Sequence, residues 1–128
     1  MTVARSRGFT LIEMMMVVVI IGILVTVMVP RFANTKEKAL VTTMKSDLRN
    51  LASAEESYYY DNSIYTSSFA GMPSFQPSVG VTITVNEATR AGWSASAASN
   101  GAVRQCYLYV GNAAPVGAAT QEGQVACN

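Results

Sequence analysis

The first chemical fact of this sequence is an acid where acids are costly. From Phe9 to Val29 Glu13 is the only charged residue, and Pro30 and Arg31 close the run. As a helix this stretch covers roughly 30 Å, the thickness of a bilayer's hydrocarbon core. A carboxylate there costs a few kcal/mol unless it finds a partner, which makes Glu13 a functional residue by default. Taken alone, the run is a transmembrane helix or an uncleaved signal anchor. A secretory signal peptide fits poorly. Its apolar region is free of charge and ends at a small-residue cleavage site, whereas here Val27-Met28-Val29-Pro30-Arg31-Phe32 follows.

Other chemistry is sparse. The 128 residues include no histidine, which removes a Ser-His-Asp triad, a Cys-His pair and any His-ligated metal. The two cysteines, Cys106 and Cys127, lack the C-x-x-C spacing of redox and metal motifs. Neither a G-x-x-x-x-G-K-[ST] loop nor a G-x-G-x-x-G is present, so nucleotide binding has no support. Nine basic and eight acidic residues give a net charge of +1, too weak a field to recruit nucleic acid. No catalytic residue, metal site or cofactor is assigned.

The hexapeptide Gly8-Phe9-Thr10-Leu11-Ile12-Glu13, behind a short basic leader with Arg5 and Arg7 and ahead of an unbroken apolar helix, resembles the class III signal of type IV pilins and pseudopilins. The resemblance is specific from Arg7 to about Val29 and general in architecture beyond. Met14 departs from the family's usual leucine without consequence. The resemblance implies that a prepilin peptidase cuts between Gly8 and Phe9 and methylates the new amine of Phe9. It also places Glu13 at the family's assembly glutamate. Cutting before the apolar run discards the leader and keeps the anchor. Seven basic residues against eight acidic then leave −1 on the side chains. Glu13 is the one acid in the run that could pair with that ammonium, and the pair attracts strongly in low dielectric. Pairing with the amine of a neighbouring subunit would set the stagger between helices. The plainer role is that of an acid favouring its own helix N-terminus.

Basic residues flank the run on both sides, with Arg31, Lys36 and Lys38 following it, so charge alone does not orient it. The resemblance puts the leader in the cytoplasm and the C-terminal region outside.

The elements follow in order. Residues 1–8 form the cleaved leader and 9–30 the apolar transmembrane and assembly helix. Residues 31–60 form its amphipathic second half, with a bend expected near Pro30. Gly22 and Pro30 are the weak points of the helix. Family filaments unwind between the matching positions, whereas the other reading of Gly22 is close helix packing in the membrane. Leu40, Met44, Leu48, Leu51 and Tyr58 share one face, with Lys36, Glu37, Lys45, Asp47, Arg49 and Glu56 off it. The helix is expected to end near Tyr60. A connecting loop, 61–78, carries Gly71, Pro73 and Pro77 as breakers. Tyr58, Tyr59, Tyr60 and Tyr65 read as a clasp packing the helix end onto this loop.

Residues 79–128 hold the sheet and tail. Val79, Val81, Ile83 and Val85 alternate with polar or small residues, as do Trp93, Ala95 and Ala97, with a turn at 90–92. A third strand, 104–110, turns Cys106, Leu108 and Val110 inward. Glu87, Arg90, Arg104 and Glu122 are expected on a solvated surface. In an extracytoplasmic, oxidising setting Cys106 and Cys127 would bridge, as in similar pilins, and so pin a Gly- and Ala-rich tail.

The expected fold is α+β, a long N-terminal helix on a small antiparallel sheet with a C-terminal disulfide loop. The expected function is that of a non-enzymatic pilin. It would be inserted in the inner membrane as a precursor and polymerised with its own kind into an extracellular pilus. A prepilin peptidase, a membrane platform and an assembly ATPase are the implied partners. A secretion pseudopilin or minor pilin is the alternative, although the cysteine pair and the missing carboxylate cluster favour a pilus. A membrane-anchored binding module that never polymerises is the reading from another class.

Overall fold

The computed structural model describes residues 8–128. The leader with Arg5 and Arg7 lies outside the described residues, apart from Gly8. One helix, α1, runs Leu11–Asn62, two residues inside the expected start and two past the expected end. Its backbone is helical through both Gly22 and Pro30. The start is fixed by Thr10, whose hydroxyl accepts from the Glu13 N–H at 3.3 Å. The end is fixed by Ser63 in the left-handed region, φ 56°, its N–H donating to Tyr59 O at 2.7 Å. The Asn62 side-chain amide donates to Tyr58 O, satisfying a terminal carbonyl.

The chain divides into two compact units, residues up to Thr35 and Lys36–Asn128. In the first unit every large apolar side chain from Phe9 to Val29 is exposed. The helix there is long and apolar enough to cross a membrane. The Thr26 hydroxyl, deep in the run, donates back to Ile23 O at 2.7 Å, which removes a donor that lipid could not satisfy.

In the second unit α1 buries Met44, Leu48 and Leu51 in one core with strand residues. The strands are β1 (Val81–Ala88), β2 (Gly92–Ser99), β3 (Cys106–Gly111) and β4 (Ala126–Cys127). They form one antiparallel sheet in the order β1-β2-β3-β4. The core strand residues are Val81, Ile83, Trp93, Ala95, Ala97, Cys106 and Leu108, the inward faces that alternation assigns. Burying each large side chain contributes about 1.5–3 kcal/mol. Gly92 is required by packing, since a Cβ there would meet Val110 O and lie 2.6 Å from Ala113 N.

Two expectations are corrected. Val79 is not on the inward face of β1. It is fully exposed in a turn closed by the Val81 N–H donating to Ser78 O, with Gly80 at φ 83°. Asp47 is not solvated. It is 3% exposed, and its carboxylate accepts from the Ser78 N–H at 2.9 Å and the Ser78 hydroxyl at 2.8 Å. Glu87 and Glu122 are also employed, accepting from the N–H groups of Ala114 and Gly111 at 3.2 and 2.8 Å. The tyrosine clasp holds in part: Tyr59 stacks on Tyr65 at 4.5 Å between ring centroids, but Tyr60 is exposed.

The tail is pinned by the disulfide Cys106–Cys127, whose residues face each other across β3 and β4. It closes 21 residues of sequence separation. Cys127→Ser is expected to lower stability by about 3 kcal/mol under the chain-entropy account. Asp47→Ala is expected to lose about 2–3 kcal/mol, since hydrogen bonds to a charged acceptor carry the link to Ser78. Urea denaturation of the full chain in detergent, followed by circular dichroism, checks both.

Candidate assembly site at the helix N-terminus

The sequence Thr10-Leu11-Ile12-Glu13 is a capping box, and the structure forms it. Glu13 Oε2 accepts from the Thr10 N–H at 2.7 Å and from the Thr10 hydroxyl at 2.8 Å. Among the described residues Oε1 accepts no hydrogen bond. One carboxylate oxygen is therefore committed to the helix start while the other stays available. The carboxylate is exposed, and Phe9 beside it is 79% exposed. Gly8 and Phe9 are both outside the helix, in extended or irregular backbone. A peptide bond to be cut must lie in such backbone, because a helix hides its carbonyls.

The expected site residues divide. Thr10 and Glu13 are joined directly, although Thr10 was not singled out in the sequence. Its signal was legible as a Thr three residues before a Glu at the head of an apolar run. Gly22 and Pro30 lie farther along α1, and a Cβ at Gly22 would meet nothing within 4 Å, so no neighbour within the chain requires its small size. Cys106 and Cys127 belong to the other unit and serve the fold there.

The family model for the prokaryotic N-terminal methylation motif matches residues 3–29. Its N-terminal region is thus similar to that of type IV pilins and type II secretion pseudopilins. Type II secretion system core protein G of Pectobacterium carotovorum is 42% identical over 79 residues, covering 57% of this chain and 51% of that protein. The protein of the same name from Pseudomonas aeruginosa is 45% identical over 68 residues, 53% of this chain and 48% of its own. Type IV major pilin protein PilA of Myxococcus xanthus is 40% identical over 76 residues, 59% of this chain and 34% of that pilin. The chain thus spans about half the length of the secretion proteins it matches. The apolar helix is long and apolar enough to cross a membrane, and Thr10 and Glu13 sit at its head.

The second unit of this pilin-like chain holds an acid that sequence reasoning passed over. Glu55 is fully buried, and only its Oε2 is satisfied, by the Thr66 N–H at 3.0 Å. Burial raises its pKa above the usual carboxylate range of about 4.5. The Thr66 N–H opposes that rise and neighbouring Glu56 adds to it. Nearby, Tyr65 donates to Glu56 Oε1 at 3.0 Å, and burial first, then this bond, pushes its phenol up to about 12.

A raised carboxyl means that the folded state holds its proton more tightly than the unfolded state. Glu55 therefore favours folding at low pH, and that contribution is lost as pH climbs through the raised value. In thermal unfolding between about pH 4.5 and 7 the wild type is expected to lose stability relative to Glu55→Gln as pH rises. A constant difference between the two across that range would refute this reading of Glu55.

Proposed function

We propose that this chain is a structural subunit that polymerises through its N-terminal helix, in the manner of a type II secretion pseudopilin. The observation that carries the proposal is the exposed apolar face all around α1, headed by one capped acid with an oxygen to spare. A helix apolar on every side needs lipid or other helices around it. Moving it from lipid into a bundle of its own copies keeps that surface out of water at both stages. On cleavage between Gly8 and Phe9, Thr10 keeps its N–H and hydroxyl, so Oε2 stays held. Oε1 then accepts from the methylated ammonium of Phe9 on a neighbouring subunit and sets the register. Gly22 and Pro30 mark where the helix would yield as subunits pack. A prepilin peptidase, a membrane platform and an assembly ATPase are the partners this role requires. The subunit passes from the inner membrane into a filament beyond it.

The secretion role is supported by the recurrence of type II secretion system core protein G among the similar proteins. This turns the preference away from the pilus that the cysteine pair suggested. The pilus reading keeps two supports, the likeness to a major pilin and the disulfide-pinned tail. In a strain lacking the chromosomal gene, loss of secreted enzymes with intact surface fibres marks the pseudopilin, and the reverse marks the pilin.

Polymerisation is tested at the cap. Glu13→Ala is expected to abolish filaments while the protein stays in the membrane fraction. Thr10→Ala removes the hydroxyl bonds but leaves the backbone N–H on Oε2, and is expected to reduce filament yield without abolishing it, at a cost of about 1 kcal/mol to the helix start. Mass spectrometry of sheared filaments should find N-methylated Phe9 as first residue. Wild-type protein absent from sheared filaments, with a membrane localisation that Glu13→Ala leaves unchanged, would favour an anchored module that does not assemble.

A further inference from the structure

The β2–β3 loop, residues 100–105, is an exposed tip tied at both ends. The Ala102 N–H donates to Ser99 O at 3.1 Å, and Gln105 exchanges hydrogen bonds with Asn128 at 3.0 and 3.2 Å. Between these anchors Val103 is 94% exposed, and Arg104 is well exposed beside it. The loop lies against the first turns of α1 in this unit. A Cβ on Gly101 would come 2.8 Å from Leu40 Cδ1 and 3.9 Å from Lys36 Nζ. Arg104 reaches Glu37 at 3.7 Å, and Lys38 is exposed on the same turn. One apolar tip is thus framed by Lys36 and Arg104 against the single acid Glu37.

We infer that this loop docks on the anionic surface of the membrane that α1 enters, before the subunit is assembled. Two observations lead there. The first is chain reach: six residues separate Pro30 from Lys36, at most roughly 20 Å even fully extended. Once the run to Val29 is in lipid, Lys36, beside which Gly101 lies, stays within that distance of the interface. The second is composition. An aliphatic tip inserts among acyl chains while flanking cations meet phosphate headgroups, the pairing that interfacial segments use. The tied backbone presents Val103 without a further ordering cost. Docking in this way would hold the second unit down on the bilayer and has to be broken when the subunit is extracted. The inference rests on the membrane-inserted reading of residues 9–29.

Val79 supplies an internal control. It is as exposed as Val103, but it follows Ser78, which is held by Asp47, eleven residues beyond Lys36 and roughly 16 Å farther along the helix. Full-length protein carrying Val103→p-benzoylphenylalanine, reconstituted in phosphatidylglycerol–phosphatidylcholine vesicles and irradiated, is expected to yield a phospholipid adduct by mass. The same substitution at Val79 is expected to yield little. Lys36→Glu should lower the Val103 adduct roughly fivefold or more, from about 1 kcal/mol per basic residue at an anionic surface. Vesicles of phosphatidylcholine alone should lower it similarly. A Val103 adduct with a second copy of the chain in place of lipid would overturn the proposal, as would equal lipid adducts at Val79 and Val103. Protein that fails to float with the vesicles would sink the membrane reading itself, an outcome distinct from insertion without a lipid adduct.

Discussion

About twenty consecutive residues of this chain have no apolar partner within it, and that deficit governs everything else. The side chains from Phe9 to Val29 are exposed on all sides of α1, an arrangement that water does not tolerate. Lipid around a single subunit would resolve it, and so would apolar helices of neighbouring molecules. The two solutions are close in energy, because hydrocarbon tails and leucine side chains are equally apolar. A small polar preference can then decide between them. Glu13 is where such a preference can act, since it is poor in lipid and good beside an ammonium.

The capping box resolves what looked like a choice between two roles for Glu13. Favouring its own helix and pairing with a neighbour need not compete, because a carboxylate has two oxygens and Thr10 occupies one. Thr10 thereby holds the acid in a fixed rotamer at the start of the helix. An acid held in place presents a defined acceptor and loses less entropy when a partner arrives.

The second unit is ordered by carboxylates as much as by its core. Asp47 fastens the turn before β1, Glu87 and Glu122 fasten the segments around β3 and its exit, and Glu55 fastens Thr66. Together with Cys106–Cys127, Glu87 and Glu122 give a Gly- and Ala-rich tail the order that its own side chains could not supply. Three of these acids accept from backbone N–H groups alone and Asp47 from a backbone N–H and a hydroxyl, so they act as loop anchors and form no cluster suited to catalysis or a metal. The similar proteins carry names of secretion and pilus subunits, in keeping with a structural part.

The sequence alone determined the long helix, its apolar first half, the stripe of Met44, Leu48 and Leu51 and the inward faces of the strands. These follow from periods of 3.6 and 2, which are local properties of a chain. It also placed the cysteine pair, given an oxidising setting. Only the tertiary structure decided the fates of Asp47, Glu55 and Val79. Whether a charged or apolar side chain ends up buried depends on which loop lies over it, and loops 61–78 and 100–105 carry no periodicity from which that could be read. Asp47 is buried because Ser78 offers two donors, and Val79 is exposed because it lies in the turn from Ser78 that closes on Val81, where the strand begins. Such pairings join residues far apart in sequence, and spacing along the chain does not encode them.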